Sequence, residues 1–178
     1  MDDLLAAALA QVTVQDETGA AVSFKGLWAE RTVVLAFVRH LGCIFCRQQV
    51  AGLSKRVPEI ERRGGTLVVV APSKSEHIAG FRESTGYKGA LLVDPTLRAF
   101  KTAGLVRGRG STYHPLAVLK GVWAMAQGFR QVGRQGDIVQ QGGTFVLGPG
   151  DRVRYEWRYR YAGHHPDLDE VVEAIPKS

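Results

Sequence analysis

The chain has 178 residues, 45% of them hydrophobic and 22% charged, and 23 Lys and Arg against 17 Asp and Glu give it a net charge of +6. This composition excludes intrinsic disorder and collagen-like repetition, and no apolar run reaches the ~18 residues of a membrane-spanning helix. The basic excess suits anionic small molecules or acidic surfaces and does not by itself argue for nucleic acid.

The elements follow in order. Leu4 to Leu9 predicts a short helix, Gln11 to Gln15 a strand, Asp16 to Gly19 a turn and Ala21 to Phe24 a returning strand. Thr32 to Val38 is a continuous run of β-type residues, the pattern of a strand buried on both faces. After Cys43 and Cys46, the spacing of Val50, Leu53, Val57 and Ile60 predicts an amphipathic helix kinked at Pro58 and ended by Gly64-Gly65. Thr66 to Ala71 is a second buried strand. Ser73 to Glu76 reads as a capping box before a helix carrying Ile78 and Phe81. Ala90 to Val93 is a third strand, closed by Asp94-Pro95, and Thr96 to Ala103 a short helix. Gly104 to Ser111 is a loop. His114 to Gln127 predicts a helix with Leu116, Leu119, Val122, Trp123 and Ala126 on one packed face. Gly128 to Gly143 reads as irregular. Thr144 to Leu147 and the alternating segment 152–161 form a hairpin about Gly148 to Asp151, and Asp167 to Ile175 closes as a helix. This order implies an α/β domain over residues 1–178, with a mixed central sheet covered by helices on both faces.

Cys43 and Cys46 are the only cysteines. A Cys-x-x-Cys pair where a buried strand enters a helix is a redox arrangement. The unpaired amides and positive dipole end of the first helical turn stabilise a thiolate, and a second sulfur one turn on can close a disulfide. Arg39, His40 and Arg47 flank the pair and can add positive potential. Two buried core cysteines, or half of a zinc site completed by histidines, are the competing readings. No second Cys-x-x-Cys and no His-x₃₋₅-His spacing supports zinc, and His164-His165 reads as loop. The acidic start does not fit a secretory signal, so a cytoplasmic location is expected.

Thr32 to Gln49 (TVVLAFVRHLGCIFCRQQ) resembles the active-site segment of thioredoxin-fold proteins. More narrowly it resembles the peroxiredoxin-like AhpC/TSA antioxidant family, with its prostamide/prostaglandin F synthase-like branch. Gly136 to Gly150 and Asp94-Pro95 carry the same likeness. The resemblance implies a thioredoxin-like fold with an N-terminal β-hairpin extension and a helical insertion. It implies a thiol-dependent oxidoreductase that reduces a peroxide or disulfide through a Cys43–Cys46 dithiol/disulfide cycle and is reset by a thioredoxin- or glutathione-type reductant. No bound cofactor, metal, nucleic acid or membrane partner is expected, and a homodimer is admitted. An NADPH-linked endoperoxide reductase and a non-catalytic redox sensor are the alternatives.

The chain departs from both relatives. In ungapped register, the Pro and Thr of the peroxiredoxin motif fall on Arg39 and Cys43, and the peroxidatic cysteine on Cys46. The Arg preceding the Thr-Phe strand falls on Gly142. The thioredoxin Trp and cis-Pro fall on Gly42 and Gly143. The register favours Cys46 as nucleophile; the helix-terminus argument favours Cys43, with its sulfur exposed. We take Cys43 as nucleophile and Cys46 as resolver.

Three further features have ordinary readings beside functional ones. Arg107 to Gly110 is a solvated basic loop or an anion contact, and strict alternation separates the arginines of 152–161 from its aromatics, against base stacking. Trp123, Met125 and Phe129 are core packing or an apolar rim for a lipid peroxide.

Overall fold

The computed structural model describes residues 2–108, 115–133 and 138–177. The chain opens with α1 (Asp2–Ala10), followed by β1 (Thr13–Gln15) and β2 (Ala21–Ser23), an antiparallel pair. Their turn is tied by Asp16, whose Oδ1 accepts from the Thr18 and Ala20 amides. The remaining strands are β3 (Thr32–Phe37), β4 (Gly65–Ala71), β5 (Ala90–Val93), β6 (Gly143–Leu147) and β7 (Val153–Arg158). Together they form a seven-stranded sheet in the order β2-β1-β5-β4-β3-β6-β7. β3, β4 and β5 run parallel, and β6 and β7 continue antiparallel from β3.

Every residue of β3 is buried, because the strand has a neighbour on each edge and a core on each face. Val34, Ala36 and Val38 join a core with α2 (Ile44–Arg62), α3 (Ile78–Thr85), α5 (Pro115–Ala126) and α6 (Leu168–Glu173). Val33, Leu35 and Phe37 join the opposite core with α1 and α4 (Arg98–Thr102). The mixed sheet with helices on both faces and an N-terminal hairpin is thus what folds.

Several local expectations are corrected. α2 runs unbroken from Ile44 to Arg62 with Pro58 inside it. The capping box does not form: a 3₁₀ turn (Ser75–His77) precedes α3, and neither start has a side-chain cap hydrogen bond. β7 stops at Arg158, and Tyr159, expected to extend the strand, turns into the interior at 1% exposure. Arg158 is not on a fully wet face, since it donates to the Ala103 carbonyl and lies over the Phe145 ring.

The largest correction concerns α5. Leu119, Val122 and Trp123 are 70%, 59% and 62% exposed, and Leu116 is also exposed. The inward face is built from Ala117, Gly121 and Ala124, whose small side chains let the helix backbone approach Phe45; a Cβ on Gly121 would lie 3.5 Å from that ring. The same spacing of three and four supports either face, and choosing the larger side chains selected the wrong one. Arg109, Gly110, His114, Gly136 and Asp137, which figured in the sequence reading, lie outside the described residues.

Candidate active site

β3 delivers the chain to the site. The Val38 amide still bonds to the Val70 carbonyl at 2.9 Å, and residues 39–42 then turn the backbone into α2. Cys43 is the N-cap residue, extended at φ −74° and ψ 124°. Cys46 lies one turn on. Arg39 touches both sulfurs: its amide donates to Cys46 Sγ at 3.2 Å and its Nη1 to Cys43 Sγ at 3.4 Å. Its Nη2 donates to the Ile138 carbonyl at 2.8 Å, which holds the guanidinium across the helix mouth.

The two thiols are electrostatically unequal. The S–H of Cys46, donated to Cys43, is the largest influence bringing the Cys43 thiol down to about 6 against the cost of burial. The Arg39 charge and the Cys46 and Phe45 amides add to it, although no full cap hydrogen bond forms. Burial pushes the Cys46 thiol well up, and its donated hydrogen bond and the Cys43 charge push the same way. The arrangement therefore favours a thiolate at Cys43 beside a thiol at Cys46.

Of the flanking groups expected to stabilise that thiolate, Arg39 makes direct contact. His40 is buried and contributes its backbone, its amide facing the Cys46 sulfur. Arg47 Nε donates to the Leu41 carbonyl at 3.0 Å, and both cysteines act on its guanidinium, so it pins the 39–42 turn from the sulfur side.

The expected exposure of Cys43 is overturned: it is 1% exposed and Cys46 is fully buried. Residues 131–133 cover the helix mouth. Gln131 Oε1 accepts from the Ile44 amide at 3.1 Å, and the Val132 amide donates to the Gly42 carbonyl at 2.9 Å. Gly42 is required there, because a Cβ would fall 2.0 Å from the Val132 carbonyl oxygen. Gln131 thus takes a first-turn amide that would otherwise face solvent or a ligand. Gln131→Ala is expected to accelerate alkylation of Cys43 several-fold, on the order of the ~1 kcal/mol that one such hydrogen bond contributes. Iodoacetamide kinetics read by mass mapping check this; an unchanged rate means the cover does not limit access.

Sequence reasoning missed a buried polar cluster behind the dithiol. Gln49 Nε2 donates to Thr144 Oγ1 at 3.0 Å and to the Tyr159 hydroxyl, and Thr144 and Tyr159 share a hydrogen bond of 2.7 Å. Tyr159 is pushed above the usual phenol range by burial. Its ring meets His165 edge-on with centroids 5.1 Å apart, and burial holds His165 down to about 3, so its imidazole is neutral at physiological pH. Gln49 follows the dithiol by one helical turn, which was the available signal; Thr144, Tyr159 and His165 arrive only through tertiary contact. Tyr159→Phe is expected to cost about 1–2 kcal/mol by stranding the Gln49 and Thr144 side chains. Urea denaturation measures this, and a loss below about 0.5 kcal/mol would mean the cluster re-pairs without the phenol.

Gly142 explains one departure from the peroxiredoxin pattern. A Cβ there would fall 2.1 Å from the Phe37 carbonyl oxygen and 2.8 Å from the Tyr159 ring, so no arginine fits. The cation at this site comes from Arg39 instead. Among the described residues, no group of three or more His, Cys, Asp or Glu could hold a metal ion.

Residues 52–161 match the AhpC/TSA antioxidant enzyme family. The chain belongs to this family. The AhpC/TSA match starts beyond Cys46, so it rests on the sheet and insertion rather than on the dithiol. Peroxiredoxin-like 2C of Mus musculus is 34% identical over 182 residues, covering 96% of this chain and 80% of that protein. Prostamide/prostaglandin F synthase of Danio rerio is 29% identical over 163 residues, covering 89% and 81%. Peroxiredoxin Q of Xanthomonas campestris superposes with a TM-score of 0.68 at 17% identity, covering 95% of this chain and 92% of that one. The fold is therefore thioredoxin-like, and the family is one of thiol-dependent oxidoreductases.

Proposed function

We propose that the chain is a thiol-dependent antioxidant oxidoreductase that reduces a peroxide or a disulfide through Cys43 and Cys46. The observation that carries this reading is the unequal pair: the Arg39 guanidinium lies 3.4 Å from Cys43 Sγ at the helix mouth, while Cys46 is fully buried one turn on with its sulfur against the Arg39 amide. With a hydroperoxide, the Cys43 thiolate attacks the outer oxygen and the O–O bond breaks. Cys43 becomes a sulfenic acid and the departing alkoxide takes a proton to leave as an alcohol. Cys46 then attacks the Cys43 sulfur, releasing water and leaving the Cys43–Cys46 disulfide. A dithiol reductant of thioredoxin type, or two molecules of a glutathione-type thiol, returns two electrons. With a disulfide substrate, the Cys43 thiolate displaces one substrate thiol to form a mixed disulfide, Cys46 attacks the Cys43 sulfur and releases the second substrate thiol, and the same reductants restore the pair.

The catalytic roles are Cys43 as nucleophile, Cys46 as resolving thiol, and Arg39 as the group that stabilises the thiolate, with His40 and Arg47 holding the turn. The reading requires a compartment that keeps dithiols reduced, and the cytoplasm is our choice. A redox sensor is the second reading, favoured by one feature: residues 131–133 cover Cys43, and a reactant reaches it only when they move.

Turnover separates the two. NADPH loss is followed with a thioredoxin system and, in separate arms, hydrogen peroxide, an organic hydroperoxide, an endoperoxide and a protein disulfide. Sustained turnover in any arm supports the enzyme. One equivalent of oxidation without turnover in every arm overturns it in favour of the sensor.

A further inference from the structure

Helix α5 turns its large apolar side chains away from the protein. Val118, Leu119, Trp123 and Met125 are 68%, 70%, 62% and 58% exposed, and Leu119, Val122, Trp123 and Ala126 line an open 460 Å³ groove with Lys120. A contiguous patch of this kind marks an interaction surface rather than ordinary exposure. Only Lys120 is charged on this helix, and its ammonium donates to the Gly163 carbonyl at 2.9 Å, beside the Tyr161 ring.

Charge decides what covers the patch. Lys120 lies on the helix, Arg130 follows it, and both are exposed; Arg160, also exposed, shares with Lys120 the neighbourhood of His164. The first turn of α2, against which α5 packs, has no acidic residue. Pairing two copies through this helix would bring like charges together. A face with Trp, Leu, Val and Met, with the cations Lys120, Arg130 and Arg160 beside it, matches an anionic lipid surface.

We propose that α5 seats the protein on anionic phospholipid bilayers, its apolar face at the acyl boundary and the surrounding arginines and lysines against the headgroups. Phe45, between the two cysteines, packs against Gly121 and Gly163, so docking through α5 holds the mouth of the dithiol beside the bilayer. This departs from the expectation of no membrane partner, which rested on the lack of a spanning segment. It does not depend on the dithiol chemistry.

The full chain is sedimented with vesicles of phosphatidylcholine alone and of equal parts phosphatidylcholine and phosphatidylglycerol. Binding is expected to the mixed vesicles, with a blue shift of tryptophan emission and weakening as salt is raised. Trp123→Glu and Leu119→Glu, both at exposed positions, are each expected to lower binding at least about tenfold with unchanged melting. Absence of binding to the mixed vesicles overturns the proposal, as does equal binding to both vesicle types. So does a concentration-dependent dimer that Trp123→Glu dissolves without any vesicle binding in the parent chain. Retention of the parent by an acidic polypeptide alone would likewise overturn it in favour of a protein partner.

Discussion

Cys43→Ser is expected to abolish turnover, by at least about 10³-fold, because a serine hydroxyl is not ionised beside Arg39 at neutral pH. Cys46→Ser is expected to permit one turnover and stop. The first oxidation is written on Cys43, and without the second thiol the sulfenic acid has no internal partner. A dimedone adduct on Cys43 in Cys46→Ser, found by mass mapping, is the diagnostic product. A dimedone adduct on Cys46 in Cys43→Ser, with retained single turnover, would reverse the assignment and restore the peroxiredoxin register. The buried cation left without its anionic partner in Cys43→Ser also costs stability, so melting is compared alongside. The Cys46→Ser product separates chemistry from folding, since that variant must fold to react.

What the sequence makes legible follows from local rules. β3 announces itself because a strand buried on both faces reads as a continuous apolar run, and Val33 to Phe37 supplies five such residues in a row, with the Thr32 hydroxyl satisfied by the Gly148 carbonyl. The dithiol is legible because chain order alone puts Cys43 at the end of a strand–turn and Cys46 one helical turn later. Its cover is not legible. Gln131 reaches Ile44 across 87 residues, and nothing in the spacing of an irregular segment specifies that contact. The polar cluster fails for the same reason, since Gln49 and Tyr159 are 110 residues apart. α5 fails differently: its periodicity was visible, but periodicity names two opposite faces, and only the close approach to Phe45 selects Ala117, Gly121 and Ala124 as the inner one. Arg39 was legible only as a nearby charge. Its dual contact, amide to one sulfur and guanidinium to the other, depends on the 39–42 turn folding back over the helix start.

That dual contact gives Arg39→Met a defined signature. Below pH 6 the Cys43 thiol is protonated, so alkylation slows as pH falls through about 6 and levels off above it. Removing a cation at this range raises a thiol by about 1–2 units, which cuts the thiolate fraction at pH 6 roughly five- to fiftyfold. The deficit shrinks as pH rises and vanishes once both proteins are fully ionised. The midpoint therefore moves up while the plateau rate stays. Since the Cys46 S–H is a larger influence than Arg39, Cys46→Ala is expected to move the midpoint further still. Arg39→Lys falls between parent and Met, because a single ammonium cannot donate to Cys43 and to the Ile138 carbonyl in the fork geometry of a guanidinium. A purely structural role predicts something else: a lower plateau with an unmoved midpoint, and no graded recovery with lysine. The pH profile of iodoacetamide alkylation at Cys43 in the three variants and the parent distinguishes the two.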